Sequence, residues 1–85
     1  MYKIQIHKQA SKKLKSLKAK DRLRITSKIM ELVCNPDAET LDVKRLVGEN
    51  YWRLRVGNWR IVYDKDDMMK IIKIERIKSR GDVYK

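Results

Sequence analysis

Arginines gather in the second half of this chain, at Arg53, Arg55, Arg60, Arg76 and Arg80. A guanidinium is planar, permanently charged and able to hold two phosphate oxygens at once. The chemistry such a set suits is the electrostatic handling of a phosphate group. RNA asks for little more, because its own 2′-hydroxyl can act as the nucleophile. Cleavage then needs a group to take that proton, cations to stabilise the crowded phosphate, and a group to protonate the departing 5′-oxygen. Arginine supplies the cations. It holds its protons too tightly to be a good general base, so proton transfer must come from other residues.

Most other chemistries lack their residues. No glycine-rich phosphate loop follows a strand pattern, and no serine, cysteine or carboxylate stands in a recognisable nucleophile setting. Cys34 is the sole cysteine and His7 the sole histidine. They cannot form an internal disulfide or furnish the three or four ligands of a protein-bound zinc, so neither a metal nor another cofactor is expected. His7 reads as a surface histidine closing a strand. Lys65-Asp66-Asp67 reads as a turn and not as a catalytic carboxylate pair.

The whole chain carries a net charge of +11 over 85 residues, with 39% charged and 42% hydrophobic residues. That balance fits one small domain, residues 1–85, with a single modest core and a polyanionic partner. Its charge is unevenly divided. Residues 1–33 sum to +8, residues 34–43 to −3 and residues 44–85 to +6. Eight of the ten bases before position 34 are lysines, suited to a solvated helix face, whereas the later segment concentrates arginine. Nothing resembles a signal peptide or approaches transmembrane length, which predicts a cytoplasmic protein without a membrane partner.

The elements that must position the arginines follow from periodicity. Tyr51 to Tyr63 reads YWRLRVGNWRIVY, two alternating runs around Gly57-Asn58, a dipeptide suited to a hairpin turn. Trp52, Leu54 and Val56 share one face of the first run, and Tyr51, Arg53 and Arg55 the other. In the second run Trp59, Ile61 and Tyr63 alternate with Arg60, Val62 and Asp64. The tryptophans, Leu54 and Ile61 are expected in the core. Upstream, Tyr2, Ile4 and Ile6 alternate as a short strand. Ala10, Leu14 and Leu17 recur at helical spacing, and a second helix carries Ile25, Ile29, Leu32 and Val33, widened by Leu23 and Met30. The two join near Ala19-Lys20, and Asn35-Pro36 ends the second.

Asp37 to Val43 is expected as a loop and Lys44 to Gly48 as a short strand or an ordered approach to the hairpin. Met68 to Ile77 is expected as a third long strand, with Ile71 and Ile72 both apolar, as in a strand covered on both faces. Alternation leaves Arg76 ambiguous, and its simpler reading is structural or solvent-facing. The expected class is α+β: an N-terminal strand, a two-helix hairpin, then an antiparallel three-stranded meander.

The run Lys44-Arg45-Leu46-Val47-Gly48, then YWRLRVGNWRIVY, then Lys-Ser-Arg-Gly-Asp-Val-Tyr near the end, resembles the RelE/ParE superfamily of bacterial and archaeal toxins. The likeness spans essentially the whole chain. It implies the toxin of a toxin–antitoxin pair. The RelE branch resembles compact microbial ribonucleases and cleaves messenger RNA in the ribosomal A site without a metal; the ParE branch shares the fold and inhibits DNA gyrase. The basic positions and the tail tyrosine match the RelE branch better.

Carried over by position, Arg53 and Arg55 match the family's paired basic residues and Arg60 its transition-state arginine. Lys78 stands where a catalytic arginine is found, Arg80 is the next basic position, and Tyr84 matches the tyrosine that stacks on or orients the target nucleotide. Lys44 and Arg45 extend the RNA-binding set. Cleaving members often carry lysine at the positions of Arg53 and Arg55, and some carry histidine at Ser79. The expectation is therefore that Arg53, Arg55 and Arg60 clamp the phosphate while Lys78 or Tyr84 handles protons. A gyrase inhibitor and a toxin that binds RNA without cutting it stay open beside the nuclease. The resemblance also implies a cognate antitoxin, in a neutralising complex able to bind operator DNA, besides the ribosome and mRNA.

Overall fold

The computed structural model describes residues 1–48 and 50–79. In chain order the elements are β1 (Lys3–Ile6), α1 (Lys8–Ser16), α2 (Ala19–Cys34), β2 (Asp42–Arg45), β3 (Trp52–Val56), β4 (Trp59–Asp66) and β5 (Ile71–Ser79). The strands form one sheet in the order β1-β5-β4-β3-β2. Strands β2 to β5 are an antiparallel meander, and β1 lies parallel to β5 at the edge. The α+β class stands as expected. The meander has four strands instead of three, and the N-terminal strand makes the sheet mixed.

The helical hairpin closes tightly. His7 caps α1, its Nδ1 accepting the Gln9 N–H at 3.2 Å, so the strand-end histidine has a local structural use. Leu17 leaves helical geometry with ψ of 156°, and the chain turns directly into α2. Arg22 on α2 donates to the Leu17 and Lys15 carbonyls, each at 3.4 Å, which answers acceptors that the end of α1 leaves without helical partners. Asp21 sits in the first turn of α2, where an acid suits the helix dipole. Asn35 is the C-cap, and Pro36 after it keeps the helix from continuing.

One face of the sheet and the inner stripes of the helices make the core. Ile25, Ile29, Leu32 and Val33 from α2 and Ala10 from α1 meet Leu54, Val56, Ile61, Tyr63, Ile72, Ile74 and Ile77. Leu14, Leu17, Trp52 and Trp59 pack against this cluster half-buried. Leu54 and Ile61 are fully buried, while both tryptophans reach the surface at their edges, where Lys13 stands 5.8 Å from the Trp59 ring and Lys65 4.9 Å from the Trp52 ring.

Four expectations need correction. Leu23 and Met30 do not widen the buried stripe; they are 70% and 47% exposed, because each lies about 100–180° around the helix from Ile25, Ile29 and Leu32. Asp42 and Val43 belong to β2, not to a loop. Val43 pairs with Leu54 and is the strand's one core-packed apolar residue, too little for alternation to show. Met68 to Lys70 form a turn, with Lys70 at φ 57°, so β5 begins at Ile71 and runs on to Ser79. Nor is β5 covered on both faces. Its Ile72, Ile74 and Ile77 are buried, while Arg76 and Lys78 from its other side line an open cleft.

Candidate nucleic-acid interface

Register across the sheet decides which basic residues meet. Lys44, Arg53, Val62 and Arg76 are successive cross-strand partners from β2 to β5, and Asp42, Arg55, Arg60 and Lys78 form the next row. Both rows lie on the face turned away from the helices, since Leu54, Ile61 and Ile77 between them are buried. A cleft of about 230 Å³ opens on this face, lined by Arg53, Arg60, Arg76 and Lys78 together with Leu46, Tyr51, Val62 and Glu75.

This arrangement works against folding. Arg55 opposes Arg60, and Arg60 opposes Lys78, although like charges directly across a ladder repel. The compensation is slight. Arg53 reaches Asp42 at 3.5 Å, but Asp42 is 60% exposed, so the pair contributes well under about 1 kcal/mol. A polyanion laid along the cleft would relieve this repulsion and release its own counterions.

The structure brings Arg53, Arg60 and Lys78 into one cleft. Lys44 and Arg55 flank it in the same rows, both exposed. Arg45 pairs with Trp52 and its guanidinium stands 5.6 Å from that ring, so it faces away from the cleft. Arg80 and Tyr84 lie outside the described residues.

Among the cleft's polar residues, Tyr51 and Glu75 were not singled out as site residues by the sequence, and Arg76, one of the gathered arginines, was read as structural or solvent-facing. The cause for the latter two is a bulge. Val62 pairs with Arg76, yet Tyr63 pairs with Ile74, which leaves Glu75 as an extra residue in β5. Strict alternation from Ile72 and Ile74 would turn Arg76 inward. The inserted residue turns it outward and sends Ile77 to the core. A signal was present, since the isoleucines at 72, 74 and 77 step by two and then by three.

A family model described as the ParE toxin of the type II toxin–antitoxin system parDE matches residues 4–84. A relative from Methanocaldococcus jannaschii that carries the name RelE1 is 35% identical over 99% of this chain and 96% of its own length. Among solved structures, the archaeal RelE–RelB complex from Pyrococcus horikoshii contains a chain that superposes with a TM-score of 0.81 at 34% identity, covering 94% of this chain and 96% of that one. The RelB–RelE antitoxin–toxin complex from Methanococcus jannaschii gives a TM-score of 0.75 at 31% identity, with 94% of each chain covered. This chain belongs to the RelE/ParE superfamily of type II toxin–antitoxin toxins.

Proposed function

We propose that the protein is a ribosome-dependent endoribonuclease that cuts messenger RNA in the A site, using the RNA 2′-hydroxyl as nucleophile. The observation that carries this reading is the convergence of Arg53, Arg60, Arg76 and Lys78 from three strands on one cleft, despite their mutual repulsion. Arg53 and Arg60 bind the scissile phosphate and stabilise charge as it crowds toward the pentavalent state, work that preorganised cations do well. Lys78 stands beside them with protons to give to the 5′-oxygen. Tyr51, at the cleft's rim with Leu46, offers a ring against which a base can stack. Lys44 and Arg55 extend the track for the RNA backbone. No metal is required by this scheme, as the family resemblance also implies. Translated messages place the activity in the cytoplasm.

Relatives that share about a third of its residues support a partner as well, because the solved complexes are of RelE with RelB. An antitoxin of that kind, with acidic residues laid into the cleft, would neutralise this chain by occupying the phosphate's place. A second reading is gyrase inhibition, favoured by the description of the matching family model. In that case the cationic face is a binding surface and not a catalytic one.

Controlled expression followed by mapping of RNA 5′ ends decides between them. New ends within codons of translated messages, lost on Arg60→Ala, are expected for the nuclease. Intact messages together with gyrase-linked DNA damage would overturn it in favour of the second reading.

A further inference from the structure

Arginine clamps leave one requirement unmet, the removal of the 2′-hydroxyl proton. Glu75 is the carboxylate placed to meet it. As the extra residue of the β5 bulge it has no partner in the β4 ladder, and the bulge turns it and Arg76 toward the same cleft. Its side chain is only 20% exposed, and its sole ion pair among the described residues is with Lys73, at 3.8 Å on the solvent side. So long a contact to a well-exposed lysine leaves the carboxylate oxygens open to another donor.

An acid in a cleft built of cations lowers affinity for RNA, so binding does not explain its presence. Neither does packing, since the buried residues of β5 are its isoleucines. Resting on the nuclease reading above, we propose that Glu75 is the general base of the cleavage step. Its carboxylate takes the proton from the 2′-hydroxyl as the O2′–P bond forms. The P–O5′ bond breaks, and O5′ leaves with a proton from the Lys78 ammonium. The products are a 2′,3′-cyclic phosphate and a 5′-hydroxyl, and solvent returns the proton from Glu75 to Lys78.

The charged groups around Glu75 are Arg53 on β3, Arg60 on β4, and Lys73, Arg76 and Lys78 on β5. Toward β1 the titratable neighbour is His7, whose backbone N–H donates to the Ile74 carbonyl at 2.8 Å.

The test is single-turnover cleavage of a short synthetic message on programmed ribosomes, with saturating toxin, at neutral pH. Glu75→Gln is expected to cleave roughly 10²–10⁴-fold more slowly and to bind the programmed ribosome at least as tightly. Its thermal midpoint should fall only slightly, because the core is untouched and the lost carboxylate is one partly exposed charge among the cleft's cations. His7→Asn keeps a capping side chain and should keep the wild-type rate. Glu75→Gln cleaving within about threefold of wild type would overturn the proposal and leave the nuclease reading standing. A wild-type protein that leaves the message whole would overturn both.

Discussion

Arg60 on β4 and Lys78 on β5 are direct cross-strand partners whose side chains line the same cleft, two cations held face to face. They differ in what they can give. The guanidinium offers two parallel donors to a phosphate and keeps its protons; the ammonium can release one. Arg60→Ala is expected to lower single-turnover cleavage by about 10²–10³-fold, and Arg60→Lys to recover little of it, because one point charge does not replace a fork. Lys78→Arg should keep ribosome binding and lose roughly 10²-fold or more in rate. Stability should move the other way. Urea unfolding of Arg60→Ala should show no loss, and a gain of up to about 0.5 kcal/mol, as the repulsion across the ladder is removed.

The hairpin was legible because its code is local. Alternation from Tyr51 to Tyr63 and a Gly-Asn turn specify both the strands and their faces, and the register then pairs Arg55 with Arg60 as that pattern requires. What stayed illegible depends on partners distant in sequence. Nothing in Lys3–Ile6 says that it lies parallel to Ile71–Ile74. The bulge that exposes Arg76 exists only in relation to Val62 and Tyr63 on the next strand. On α2, Leu23 and Met30 are apolar like their neighbours, and only the direction from which the sheet approaches decides that they stay outside. Arg45 follows Lys44 in sequence but, one residue along a strand, faces Trp52 instead of the cleft.

Gly57 makes a separate prediction. It has φ of 58°, and a Cβ placed there would stand 2.9 Å from the Arg24 Nη2 atom of α2. Gly57→Ala thus meets two costs, the left-handed backbone and a displaced guanidinium. About 1–2 kcal/mol is expected from the first, read as a lower urea midpoint. Arg24→Ala in the same chain should return only the second, smaller part, since the end of a flexible side chain moves cheaply. Full recovery in the double variant would show that the backbone term had been misjudged.

The core can be separated from its surface look-alikes on the same measurement. Leu54→Ala removes a fully buried side chain between the helices and the arginine rows, and should cost about 2–5 kcal/mol. Leu23→Ala, at an exposed position on α2, should change stability by no more than about 0.5 kcal/mol. A large loss from Leu23→Ala would mean that this flank of α2 is covered in solution, which the free chain does not show.

Tyr63 governs the alkaline limit of stability. Its phenol is held in the core, and burial first, then the negative charge of Asp37, raises its pKa well above the ordinary value of 10.0. Near neutral pH the group is protonated in both folded and unfolded chains and contributes no pH dependence. Above the ordinary value the unfolded chain releases the proton while the folded one retains it. The unfolded state then binds fewer protons, and stability falls as pH rises, by up to about 1.4 kcal/mol per pH unit from this residue. Tyr2 shifts in the same direction, because its hydroxyl donates to Asp67 at 2.7 Å, but that hydroxyl lies at the surface and adds little. Urea unfolding between about pH 9 and 11 should therefore show a steep loss in the wild type and a shallower one in Tyr63→Phe. Lysine titration is common to both chains and cancels in the comparison. Equal slopes would place the alkaline sensitivity in the cationic face and not in the core.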